Sequence, residues 1–187
     1  GDWSSDVCSS DLRLRDFLGV KEIFWLGDGI EGDDTDGHVD DIARFVSADT
    51  IVCAYEESED DPNFEPLKAN YEYLCGLKGE VVADEADDDD PAEQADDDEL
   101  PARFQVLKLP MPRKLVHDGQ RLPASYANFY IGNKVVLLPV FGDTNDRWAA
   151  AILEKAFPDR KVVPIDCRDL IWGLGAFHCL TQQQPAV

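Results

Sequence analysis

One succession of patterns occurs twice along the chain and limits the fold more than any other feature. His38 to Val46 and Thr50 to Tyr55 read as two β-like runs around Ser47-Ala48-Asp49. A helical pattern over Asp61 to Lys78 follows, through Leu67, Tyr71, Leu74 and Leu77, and then the alternating strand Phe104 to Leu109. In the second pass, Phe129 to Ile131 and Lys134 to Val140 flank Gly132-Asn133, a pair that favours positive φ and hairpin closure. They lead into a helix over Asn145 to Phe157, with Trp148, Ile152, Leu153 and Ala156 on one side, and into the strand Lys161 to Ile165. The breakers agree: Pro62 and Gly79 bracket the first helix, Pro110-Met111-Pro112 stops its strand, and Pro158 ends the second helix. The two units lie roughly 60 to 80 residues apart, the mark of an internal repeat even though their sequences are only weakly alike. The class is therefore α/β or α+β, built from ββαβ units, because hairpins argue against an all-parallel sheet. Ahead of the first unit, Arg13 to Val20 reads as a helix end with Gly19 as its left-handed cap. Lys21 to Leu26 reads as a buried strand, and Gly27 to Gly37 as a glycine- and aspartate-rich loop.

At 187 residues and 44% hydrophobic, the chain can bury one core. Its formal charge of −22 has a local origin: residues 84 to 99 carry 11 acidic side chains and no basic one, half of the total. Such a run cannot bury enough apolar surface to offset its ordering entropy, so 83–101 is expected to be a disordered acidic insertion. The acidity excludes nucleic acid as a partner, since a polyanion is repelled and no basic stripe offsets it. No apolar run approaches the ~20 residues that span a bilayer, and no secretory pattern opens the chain, so a cytoplasmic protein without a membrane partner is expected. Five cysteines at irregular spacing argue against a disulfide framework, and no Cys/His cluster suggests a metal. Residues 2 to 12 show no periodicity and no helix pattern, and back-translated they resemble one frame of a sequencing-library adapter. Residues 1–12 are therefore set aside as an expected artefact, which removes Cys8 and Trp3 from consideration. The natural sequence is then expected to enter at Arg13 as an amino-terminally truncated piece.

Two segments concentrate polar groups. In Gly32-Asp33-Asp34-Thr35-Asp36-Gly37-His38-Val39-Asp40-Asp41, an extended chain would turn His38 and Asp40 to the same face. In Gly173-Leu174-Gly175-Ala176-Phe177-His178-Cys179-Leu180-Thr181-Gln182, the glycines would let Cys179 sit at a cavity wall. Neither segment identifies a site alone: a histidine at a strand start is commonly a capped surface residue, and a lone cysteine commonly a small buried hydrophobe.

Taken together they carry a resemblance. Trp25-Leu26 with Gly29 to Asp40 resembles the histidine motif of agmatine deiminases and the bacterial-type peptidylarginine deiminases. Tyr126 to Phe141 is similar to that family's central hairpin. Phe157 to Asp166, followed by Gly-x-Gly-x-x-His-Cys-x-Thr-Gln-Gln-x-Pro, resembles its catalytic-cysteine segment. The likeness spans Arg13 to Val187 apart from the acidic insertion, with one departure: Leu174 stands where the family usually has the middle of three glycines. The resemblance implies a partial pentein propeller of repeated ββαβ units, its carboxy-terminal part only. It implies catalytic roles for Cys179 as nucleophile, His38 as general acid/base and Asp40 as a guanidinium-binding carboxylate. The substrate would be a small guanidinium compound, agmatine on the route to putrescine or alternatively peptidyl-arginine, and no cofactor is needed. His178 would alternate to the opposite strand face and act structurally, and His117 has no motif support. The family's further guanidinium-binding carboxylates lie upstream of Arg13, so the parent is expected to be a deiminase and the fragment alone to be inactive. An inactive fragment or a non-catalytic acidic binding protein is also the expectation of another class. A papain-like hydrolase fits poorly, because its cysteine precedes its histidine and opens a helix.

Overall fold

The computed structural model describes residues 3–34, 37–79 and 102–184. The acidic insertion expected at 83–101 lies wholly outside the described residues, as does the pair Thr35-Asp36. The chain opens with helix α1 (Trp3–Leu18), which runs through the segment where no helix pattern was legible. The helix continues backward from the helical end at Arg13 to Leu18, a stretch whose side chains are mostly exposed and need no apolar stripe. Gly19 closes it as expected, at φ +67 and with its N–H on the Arg15 carbonyl at 2.9 Å.

The strand expected over Lys21 to Leu26 is absent among the described residues. That segment is tied to helix side chains in place of a ladder: Asn70 accepts the Gly27 N–H at 2.7 Å and donates to the Asp28 carbonyl at 2.9 Å. The glycine loop beyond it is drawn tight. A Cβ on Gly29 would stand 2.5 Å from the Gly37 Cα, and Gly32, at φ +98, passes close to the Arg121 carbonyl.

The two repeats form as the pattern requires. In the first, β1 (Ala43–Phe45) pairs antiparallel with β2 (Thr50–Tyr55), helix α2 (Phe64–Gly76) crosses over, and β3 (Gln105–Pro110) returns parallel to β2 in the register Thr50 to Gln105. A short ribbon, β4 (Val116–His117) and β5 (Gln120–Arg121), lies between the units. In the second, β6 (Tyr130–Ile131) pairs antiparallel with β7 (Val135–Val140), helix α3 (Asp146–Ala156) crosses over, and β8 (Lys161–Asp166) lies parallel to β7. The sheet of each unit has three strands in sequence order, so the units share one topology.

Some local details differ from expectation. The second hairpin closes with the Gly132 N–H on the Val135 carbonyl at 2.8 Å, and neither Gly132 nor Asn133 takes positive φ. On α3 the buried residues are Ala149 and Leu153, while Trp148 is exposed and lies against the Arg147 guanidinium. His38 to Ile42 is no strand: Val39–Asp41 forms a 3₁₀ turn, and the β ladder begins only at Ala43.

The core joins the units. Val52 of β2 and Leu109 of β3 share one cluster with Tyr126, Phe129, Val136, Leu138, Leu153 and Val162. On the other face of β2, Ile51 and Cys53 pack against Leu74 of α2 and Phe104. β2 is thus covered on both sides, and its four central residues are buried. No helix among the described residues is long and apolar enough to cross a membrane.

Candidate active site

Cys179 and Asp40, 139 residues apart, meet: the sulfur lies 3.3 Å from Asp40 Oδ2. Each arrives on a turn. Asp40 sits in the Val39–Asp41 turn, which starts where the His38 N–H donates to Asp33 Oδ2 at 2.6 Å and the Asp41 N–H to the His38 carbonyl at 3.1 Å. Cys179 follows the 3₁₀ turn Leu170–Gly173 and a left-handed residue, Leu174, at φ +62. A side chain there costs about 1 kcal/mol relative to glycine, and this is the position where the resemblance notes a missing glycine. Gly175 then passes under Cys179, since a Cβ on it would stand 2.7 Å from the Cys179 Cβ. Residues 177–180 close a helical turn, with the Leu180 N–H on the Ala176 carbonyl at 3.2 Å and the Thr181 N–H on that of His178 at 3.2 Å.

These turns decide which side chains meet. Strand alternation would have separated His178 from Cys179, but on a helical turn neighbours stand about 100° apart and both can face one partner. His178 Nδ1 lies 2.6 Å from Asp40 Oδ2. Conversely, the shared face expected for His38 and Asp40 is lost in the 3₁₀ turn. The His38 ring, about half exposed, pairs with Asp33 at 3.6 Å. It stays near the site without being bonded to Cys179 or Asp40. One ligand atom each of Asp33, His38 and Asp41 lies within 4.8 Å of the others, a spacing that could hold a metal ion, although Asp33 and His38 already engage each other. His117 stacks on Trp172 at 3.8 Å, away from this cluster.

A buried asparagine joins the parts. Asn128, ahead of β6 and 1% exposed, donates through Nδ2 to Asp40 Oδ2 at 2.9 Å, Asp41 Oδ1 at 3.0 Å and Cys179 Sγ at 3.1 Å. Its Oδ1 accepts the N–H groups of Ala176 at 3.2 Å, His178 at 3.0 Å and Cys179 at 3.3 Å. Sequence reasoning assigned Asn128 no role. A signal was there: an amide inside Ser125-Tyr-Ala-Asn-Phe-Tyr130, a run otherwise fit for burial, must find partners if the run is buried.

The electrostatics follow from this crowding. Burial opposes ionisation of Asp40, yet the hydrogen bonds from His178 and Cys179 outweigh it and hold the carboxyl below its ordinary range. Burial raises the Cys179 thiol; the Asn128 amide opposes this and the Asp40 carboxylate adds to it, so the resting sulfur is a thiol. Asp41, 3% exposed, is pushed up to about 7, first by burial and then by Asp40 beside it. Asp40 and His178 also line a cavity of about 550 Å³ with Phe24, Val39, Arg44 and Phe45. The Arg44 guanidinium is turned to the Ala127 and Phe129 carbonyls, at 3.2 and 2.9 Å.

Asp41 gives a measurable pH dependence. The unfolded chain loses this proton near pH 4 while the folded chain keeps it to about pH 7, so stability falls across that window and then levels. The loss is on the order of 3 kcal/mol. Asp41→Asn retains an oxygen for the Asn128 amide. It is expected to unfold at the parental temperature at pH 4 and several degrees above it at pH 8, and equal or lower melting at pH 8 would refute the assignment.

Comparisons with known proteins point to one family. The sequence model of the Porphyromonas-type peptidyl-arginine deiminase family matches residues 8–185. A Selenomonas ruminantium protein provisionally named an agmatine deiminase is 36% identical over 196 residues, covering 95% of this chain and 48% of its own length. An agmatine deiminase structure from C. jejuni, a cysteine-to-serine variant with substrate bound, superposes at TM-score 0.75 with 32% identity, covering 91% of this chain and 44% of that one. The agmatine deiminase of Enterococcus faecalis gives TM-score 0.77 and 32% identity, covering 94% and 47%. The chain thus spans about half the length of the relatives it matches, and the expected mixed fold of repeated ββαβ units is theirs too.

Proposed function

Because the chain belongs to the Porphyromonas-type peptidyl-arginine deiminase family, we propose that it carries the nucleophile-bearing part of a guanidine-hydrolysing site, with agmatine as substrate. The observation that carries this reading is the convergence of Cys179 Sγ, Asp40 Oδ2 and Asn128 Nδ2 within hydrogen-bond reach of one another.

A guanidinium carbon is a poor electrophile, since resonance spreads its charge over three nitrogens, and a thiolate is the nucleophile suited to it. The resting thiol is raised, and a cation bound against Asp40 supplies the opposite charge that favours its deprotonation. Asp40 holds the guanidinium through charge-assisted hydrogen bonds and brings its carbon to the sulfur. The thiolate adds to that carbon, and His38 donates a proton as ammonia leaves, giving a thiouronium ester of Cys179. Water, deprotonated by His38, then displaces the sulfur and releases the ureido product. In the resting chain His38 pairs with Asp33 and has a ring nitrogen within 4.8 Å of Asp41, so this role requires the ring to turn from Asp33 toward the sulfur.

The test uses the chain as it stands: Cys179, Asp40, Asn128 and His38 all lie within it, so turnover is expected here, against the inactivity expected of a truncated piece. Incubated with agmatine and quenched in acid, it is expected to show N-carbamoylputrescine in solution and a transient amidine adduct mapped to the Cys179 peptide. Peptidyl-arginine is assayed in parallel, because the family's name points to it. Ureido product from the peptide alone would move the substrate assignment; an adduct on no cysteine and product from neither compound would overturn the enzymatic reading.

A further inference from the structure

Three side chains converge on one oxygen. Asp40 Oδ2 meets His178 Nδ1 at 2.6 Å, Asn128 Nδ2 at 2.9 Å and Cys179 Sγ at 3.3 Å. The chemistry above gives His178 no role, yet its contact is the shortest of the three. We propose that His178 is a positioning residue for Asp40: its Nδ1–H fixes Oδ2 beside the sulfur and draws that oxygen's charge away from it, so that both the reactivity of Cys179 and the grip of Asp40 on a cation depend on this imidazole.

A carboxylate facing a thiol holds the proton on sulfur, and each competing donor to the same oxygen weakens that hold. The contact is partly sheltered, Asp40 being 13% and His178 34% exposed in their side chains, so it is screened less than a surface pair. At 2.6 Å a proton must lie between the two atoms. With Asp40 ionised, it belongs to Nδ1, which fixes the tautomer and leaves Nε2 on the far side of the ring. The ring is also preset, for the His178 N–H is held by both Oδ1 and the backbone carbonyl of Asn128, at 3.0 and 3.1 Å. Arg44, whose charge also acts on Asp40, bonds the Ala127 and Phe129 carbonyls and not this oxygen.

The part concerning a bound cation rests on the deiminase reading, so the first readouts require no turnover. In the full chain, long-range ¹H–¹⁵N correlations are expected to show His178 protonated at Nδ1. The rate at which iodoacetamide alkylates Cys179, followed on its own peptide by mass spectrometry, is expected to fall about 3- to 10-fold in His178→Ala. His178→Asn, whose amide nitrogen overlays Nδ1, is expected to stay within about twofold of the parent. A His178 that lacks the Nδ1 proton in the parent overturns the proposal. So does a His178→Ala rate equal to or above the parent's, or a His178→Asn rate as low as that of His178→Ala. In calorimetry, agmatine affinity is expected to fall about tenfold in His178→Ala and to be restored in His178→Asn. If agmatine does not bind the parent, the substrate assignment fails while tautomer and alkylation still decide the role of His178.

Discussion

Asn128→Ala is expected to lower the stability of the chain by about 3 to 5 kcal/mol, or roughly 10 °C in unfolding temperature, and to slow turnover at least ~100-fold. The cause is concentrated in one buried amide. Its oxygen receives three backbone N–H groups from the cysteine turn, and its nitrogen reaches two carboxylates and the sulfur. Alanine leaves the N–H groups of Ala176 and Cys179 without that acceptor and two clustered carboxylates without their shared donor. The sulfur also loses the contact that opposes its raised thiol, so Cys179 alkylation is expected to slow. Thermal unfolding and alkylation read the two effects separately; a variant that melts within 2 °C of the parent, by the same scale, would show that the amide is dispensable.

Gly175→Ala is expected to separate the same two readouts in the opposite sense. The new methyl would stand 2.7 Å from the Cys179 Cβ and 3.0 Å from its sulfur, closer than nonbonded atoms approach, and Gly175 is buried, so the cysteine turn must shift. Moved off Asp40, the sulfur loses the carboxylate that adds to its raised thiol. Turnover is then expected to fall ~100-fold or more while alkylation by iodoacetamide rises several-fold, because the thiol is freer but no longer aimed. Parallel decline of both rates would mean that the methyl is absorbed by general loosening and not by displacement of the nucleophile.

The repeat was legible because its signals are local. Short apolar, β-branched runs in Thr50 to Tyr55 and Val135 to Val140, a period of 3.6 through Leu67, Tyr71 and Leu74, and prolines or glycines at the ends each act within a few residues. Trp148 shows the limit of that reading: the helix pattern holds, but which edge of the apolar side is covered depends on a neighbour that the pattern does not name. The site was legible only in part for a related reason. Cys179 and Asp40 do meet, whereas the grouping of His38 with Asp40 and the exclusion of His178 both assumed extended chain. Those segments are bent by bonds to residues that propensity cannot see, Asn128 lying 51 positions before Cys179 and 88 after Asp40. A turn set from so far away has no period in its own sequence.

The distribution of these three residues along the chain imposes an order on biosynthesis. Asp40 leaves the ribosome ahead of the first repeat, Asn128 ahead of the second, and Cys179 only after β8 has been made. Every receptor for the cysteine turn, two carboxylates and the amide between them, has therefore been translated before the sulfur is. A nascent chain stalled anywhere upstream would hold the docking place without its cysteine, and the sulfur, once made, meets partners that have all been translated before it.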